Sequence, residues 1–244
     1  MSATARLALT EWRLLRREPI VLFFGLAFPM LLLVVMGIAS DGADRDLGGL
    51  RLVEAYVPIL IAFNLAMFGI SVLPSALVGH RERGVLRRLA TTPVGPRRLL
   101  TAQLSVTSAI AVAAVIAVLV VARAAFGVGP PADAAGFVLA FALTAAAMLA
   151  IGLVIASLVP TSRTASAVGT LTWFPLMFFA GLWIPREAMS DALLAVSDVT
   201  PLGAGVGALQ DAMGGAFPDP LRLAVLAAYA AVAAVAATRL FRWE

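Results

Sequence analysis

Six stretches without one charged residue dictate what this chain can become: 20–39, 55–78, 99–122, 134–159, 165–184 and 223–237. A bilayer core about 30 Å thick is crossed by roughly 20 helical residues. The first five stretches reach that length, and the sixth does so by borrowing Leu221, Arg222 and Thr238 at its ends. Inside hydrocarbon every backbone amide must find its partner within its own segment, so each stretch is predicted to be a helix. The expected fold is therefore an all-α integral membrane protein with six transmembrane helices, forming one domain over 1–244. Arg16 and Arg17 before the first run give it a superficial likeness to a secretion signal. The run is longer than a signal's apolar region and five more follow, so it is expected to stay as a span.

Composition agrees. Hydrophobic residues make up 61% and charged residues 13%, against roughly 25% charged in ordinary soluble domains. All 18 basic residues are arginine. Six spans leave both termini on one side, which then holds thirteen of the 18 arginines and four of the 14 acids, a formal +9 against −5 opposite. Excess arginine marks the cytoplasmic side, so both termini are expected there. This sorting accounts for the isoelectric point near 10.9 without a nucleic-acid surface.

Two flanking segments carry further patterns. In 1–19, Arg6, Thr10, Arg13 and Arg17 share one helical face and Ala8, Trp12 and Leu15 the opposite one. That is an amphipathic interfacial helix, with Trp12 at headgroup depth and Arg13 and Arg17 toward anionic lipid. It serves either as a topology anchor or as a partner contact, and Pro19 ends it. The 185–220 stretch is too long for a turn and too apolar for a solvated loop. Met189, Leu193 and Val196 form one stripe, and a second helical pattern covers 206–213. Two short outer helices, re-entrant or interfacial, are expected there.

Several kinds of chemistry are excluded. One histidine and no cysteine leave no metal cluster of the usual spacing and no nucleophilic triad. No catalytic residue and no metal ligand is proposed. The phosphate-binding motif G-x-x-x-x-G-K-[ST] needs a lysine, and there is none, so any ATP hydrolysis would have to come from another polypeptide. Span interiors lack Asp, Glu, Lys, Arg and His, which disfavours an ion-coupled carrier or channel. Asn64 is the most polar deep residue, suited either to an interhelical hydrogen bond or to a substrate contact.

The feature left over is "VGHRERGVLRRLATTPVGPRRLL", residues 78–100, with six arginines, one glutamate and the only histidine. Between Gly84 and Pro93, Leu86, Leu89 and Ala90 make a narrow apolar stripe, with Arg87, Arg88 and Thr91 facing away. Two helical turns are not stable alone in water, so such a helix has to dock. The competing reading is that the arginines only enforce topology.

"RERGVLRRLATTPVGPRRLL" resembles the first cytoplasmic loop of type-2 ABC exporter permeases, in particular the daunorubicin-resistance-like drug exporters. That family's E-x-G-x-L-x-x-L-x-x-x-P pattern falls on Glu82, Gly84, Leu86, Leu89 and Pro93, with Val85 where threonine is frequent. Residues 178–215 resemble the fifth span and outer helices that follow it. The resemblance implies that 79–98 is a coupling loop, with Glu82, Arg83, Gly84, Leu86, Arg87, Leu89 and Pro93 contacting an ABC ATPase subunit. ATP and magnesium would bind on that subunit, with no cofactor on this chain. It also implies a homodimer, or a dimer with a paralogue, that exports a small drug-like or lipid-like substrate along its seam. That seam nominates Asn64, Met67, Phe68, Trp173, Met177 and Phe178. Two alternatives are a lipid or glycan permease of the same superfamily, and a secondary carrier or channel.

Overall fold

The structure, a computed structural model, describes residues 18–39, 51–85 and 96–240, with isolated positions 7, 9, 10, 12, 13, 88 and 91. The described residues form helices and no strands. Helix α1 runs from Pro19–Leu22 through the π-helical segment Phe23–Ala27 into Phe28–Ala39. Then follow α2 (Leu52–Glu82), α3 (Pro96–Phe126), α4 (Ala134–Leu158), α5 (Ser162–Ala180), α6 (Asp191–Val199), α7 (Pro201–Gly214) and α8 (Pro220–Leu240). Among the described residues, α2, α3, α4 and α8 are long and apolar enough to cross a membrane. α1 is a shorter apolar helix, and α5, rich in Ser and Thr, is less apolar than the four.

The helix ends follow from local chemistry. Asp133 accepts from the Gly136 amide at 3.1 Å and opens α4. Thr161 accepts from the Thr164 amide at 3.1 Å and opens α5. Both satisfy amides that the first turn leaves without partners. Gly181, left-handed at φ 98°, closes α5 three residues before the apolar run ends at Ile184.

Two prolines explain the π-helical segments. Pro29 and Pro74 lack an N–H, so the carbonyls of Gly25 and Ile70, four residues earlier, have no helical donor. In each case the ladder widens just upstream, with Phe28 N–H bonding to Phe23 O and Leu73 N–H to Phe68 O. The two wide turns face each other, since a Cβ on Gly25 would meet the Phe68 ring.

Helix α2 is the axis of the molecule. Val57, Ile59, Leu60, Ile61 and Ala62 are fully buried, and α1, α3, α4, α5 and α7 pack around it. Small residues allow this approach. A Cβ on Gly152 of α4 would overlap the Gly69 carbonyl of α2, and one on Gly169 of α5 would lie 2.7 Å from the Ile70 carbonyl. Close backbone packing of this kind holds helices together where lipid removes the usual hydrophobic drive. The outward faces stay apolar, with Ile116 and Val120 on α3, Val138 on α4, Leu171 on α5 and Val232 on α8 all exposed. Such a surface suits hydrocarbon rather than water.

Candidate functional site

At about 1.5 Å per residue, the 31 residues of α2 extend about 46 Å, well beyond a 30 Å core. Its last turn, 79–82, therefore stands clear of the apolar run and carries Arg81 and Glu82. Arg81 donates through Nη1 to the Ala156 carbonyl at 3.2 Å, and through Nη2 to the Val159 carbonyl. Glu82 accepts at Oε2 from the Ser162 amide at 3.1 Å. Contact with Ser162 holds the Glu82 carboxyl below its ordinary value. A cation thus sits at the carbonyl end of α4 and an anion at the amide end of α5, each matched to the helix dipole it meets. Arg83 is exposed and Gly84 turns the chain at φ 69°, where a side chain would be strained. Leu86, Arg87, Leu89 and Pro93 lie outside the described residues. Sequence reasoning singled out Glu82 but missed Arg81 and Ser162.

Midway along α2 lies a continuous series of aromatic rings. Phe28 meets Phe63 at 5.5 Å between centroids, and Phe63 meets the Trp173 edge at 5.2 Å. Trp173 continues to Phe174 at 5.3 Å, and Phe174 stacks on Trp183 at 5.9 Å. Phe174 and Trp183 are exposed, so one end of this wall reaches the surface. Asn64, on the same turn of α2 as Phe63, is fully buried and donates to the Leu60 carbonyl at 3.0 Å. Its Oδ1, like Trp173 Nε1, has no hydrogen-bond partner among the described residues. Of the other residues nominated from sequence, Met67 and Phe178 are half-buried, whereas Phe68 and Met177 are enclosed within the chain. The rings of Phe28, Phe63 and Phe174 complete the wall. Phe28 and Phe63 went unnoticed because their partners lie far along the chain, on other helices.

At the opposite end of the bundle, α6 and α7 meet at a bend of 103°. Thr200 ends one helix and caps the next, accepting from the Gly203 amide at 3.2 Å. Arg186 lies buried in the elbow. It donates to Ser197 Oγ, to the Gly203 carbonyl at 3.1 Å and to Asp198 at 2.6 Å. Asp198 also accepts from Arg222 of α8 at 3.1 Å, and Arg222 reaches Asp211 of α7 at 2.7 Å. Four charges therefore tie the elbow to the first turn of α8. A cavity of about 260 Å³ at this end is lined by Glu54, Pro58, Val128, Gln210 and Met213. Its carboxylate, Glu54, is engaged by Arg51 at 2.8 Å. Among the described residues no three His, Asp or Glu side chains gather to hold a metal.

A family model described as ABC-2 type transporter matches residues 3–213, most of the chain. The chain belongs to the ABC-2 type transporter family. No curated protein matches it. It is a permease subunit of an ABC-2 transporter and a multi-pass membrane protein, and the family implies ABC ATPase partners.

Membership gives the two ends of the permease different weight. The charged segment after α2 occupies the position of the expected coupling loop, and the clasp at Arg81 and Glu82 is its described root. At the permease's N-terminus, positions 7, 9, 10, 12 and 13 are helical, with Trp12 and Arg13 exposed. Arg17 lies outside the described residues.

Proposed function

We propose that this permease, paired with a second copy or a paralogue, exports hydrophobic or amphipathic drug-like or lipid-like molecules, energised by separate ABC ATPase subunits that carry ATP and magnesium. The observation that carries the substrate class is the aromatic wall from Phe28 to Trp183, exposed at Phe174 and Trp183. Flat apolar rings suit ligands that are themselves mostly apolar. Met67, Trp173 and Phe178 line the path in this reading, and Asn64, Phe68 and Met177 support it from behind. α1 and α5 complete six spans with α2, α3, α4 and α8. The arginine bias puts both termini and the 83–95 segment in the cytoplasm of a bacterial cell, and the α6–α7 elbow outside. Leu86 and Leu89 fill a groove on the ATPase, where a buried leucine contributes roughly 1.5–3 kcal/mol. The arginines around them steer assembly.

The test reconstitutes the permease in vesicles with its ATPase subunit and follows ATP-dependent movement of an amphipathic rhodamine dye. The complex should move the dye, the permease alone should hydrolyse no ATP, and Leu86→Asp should lose the ATPase on purification while still inserting. Normal ATPase association and dye movement by Leu86→Asp would reduce the charged segment to a topology signal.

A further inference from the structure

Adjacent residues of opposite charge hold opposite ends of two helices. Arg81 binds the last carbonyls of α4 and Glu82 binds the first amide of α5, across the short turn 159–161. Higher up, the same face of α2 is keyed to the same two helices without side chains between. Gly69 closes on Gly152 of α4, and Ile70 and Ser71 close on Gly169 of α5. The attachments at 69–71 and 81–82 are about 16 Å apart along the axis. Two attachments that far apart resist both sliding and rotation. Among the described residues, the bonds of Arg81 and Glu82 to other helices run to α4 and α5, although α3 is the helix that follows them in sequence.

We propose that Arg81 and Glu82 are positioning residues for coupling: they join α2, α4 and α5 into one body, so a push on the segment after Glu82 moves all three together against α3. This rests on the reading of that segment as the ATPase contact. The charges suit the task. A guanidinium shared by two carbonyls, and a carboxylate on a helix-terminal amide, are charge-assisted bonds of the stronger kind. They keep their length while the segment beyond them is displaced. Loss of the Arg81 bonds leaves α4, and loss of the Glu82 bond leaves α5, held to the end of α2 by packing alone, which permits a hinge there.

Ser162→Pro tests the Glu82 bond cleanly. Ser162 is the first residue of α5 and Thr161 before it is extended at φ −125° and ψ 152°. Proline is favoured at that helical position and follows extended residues readily, so the helix is kept while the N–H and the hydroxyl through which Ser162 meets Glu82 are both lost. Arg81→Gln removes the cation, and Arg81→Lys restores it. With no cysteine in the chain, spin labels on Ser105→Cys in α3 and Ser166→Cys in α5, both exposed, report distance in the complex with the ATPase subunit. Trapping ADP with vanadate after ATP is hydrolysed should shift that distance in the otherwise unaltered protein. Ser162→Pro and Arg81→Gln should lose the shift while the ATPase still co-purifies, and Arg81→Lys should recover part of it. A full shift in both Ser162→Pro and Arg81→Gln would reduce the contacts to helix caps. Loss of the ATPase from these variants would make the residues docking contacts and overturn the relay. If the protein with an intact clasp binds no ATPase, the coupling reading fails first and carries the relay with it. A thiol-reactive bridge between Glu82→Cys and Ser162→Cys gives an independent check. The shift should survive bridging, and its abolition would mean that the clasp opens during the cycle.

Discussion

Neutralising Asp198 should unsettle the α6–α7 elbow more than any other single charge change outside the coupling segment. Asp198 holds both Arg186, whose side chain is 4% exposed, and Arg222, 20% exposed. An exposed ion pair contributes about 0.2–1 kcal/mol, and breaking a buried pair costs about 3–5 kcal/mol because a charge is stranded. Asp198 is itself 26% exposed. Arg186 also keeps Ser197 Oγ and the Gly203 carbonyl, which soften the loss. Asp198→Asn is therefore expected to cost about 2–3 kcal/mol, between those limits. For a chain of this size that corresponds to a fall of about 5–10 °C in the unfolding midpoint. Asp211→Asn should cost less, because Arg222 retains Asp198. The measurement is equilibrium unfolding in mixed micelles with rising SDS, followed by tryptophan fluorescence, with Arg186→Met and Asp198→Asn/Arg186→Met closing a mutant cycle. The double change should cost less than the two single changes added together, since no charge is left stranded. A correctly folded Asp198→Asn within about 0.5 kcal/mol of the parent protein would show that these charges are solvated and that the elbow is held by packing.

Gly152→Val should destabilise the bundle by about 1–3 kcal/mol, read in the same micelle titration, because its side chain meets backbone that cannot rotate away. Gly84→Val should reduce ATPase co-purification without affecting insertion. Nothing crowds a Cβ there, so the cost is the left-handed backbone alone, about 1–2 kcal/mol, and Gly84→Asn should be milder. Ser190→Cys, exposed before α6, should react with an impermeant maleimide added from outside intact cells. Reaction only after the cytoplasmic side is opened would invert the topology.

What could be read from the sequence divides along a physical line. Helices set by a charge-free run were visible, because hydrocarbon forces the backbone to satisfy itself. Their ends were less so. α2 begins at Leu52 rather than 55, because Glu54 folds back onto the Arg51 amide at 2.9 Å, and it runs on through Arg81 and Glu82, which find partners on α4 and α5. The π-helical segments were latent in Pro29 and Pro74. The aromatic wall and the elbow charges were not, since Phe63 meets Trp173 across 110 positions of the chain, and Asp198 meets Arg222 across 24.

The two ends of the bundle handle their charges differently. Around the elbow, Arg186 and Arg222 are matched by Asp198 and Asp211, so these four charges are paired internally. At the other end Glu82 is already engaged by Ser162, while Arg83, Arg88, Arg98 and Arg163 stand exposed. A topology signal needs only the sum of those charges. A docking surface needs them left over at one place, after the internal contacts are made, facing a partner that supplies the acids. Among the described residues, the exposed Arg83, Arg88, Arg98 and Arg163 fit the second arrangement, as the proposed ATPase contact requires. It predicts that association with the ATPase weakens as salt rises toward 1 M, where screening acts within about 3 Å, and that an Arg83→Glu/Arg88→Glu variant binds poorly even at low salt. Salt-independent association, or unchanged binding by that variant, would place the ATPase on the apolar stripe alone.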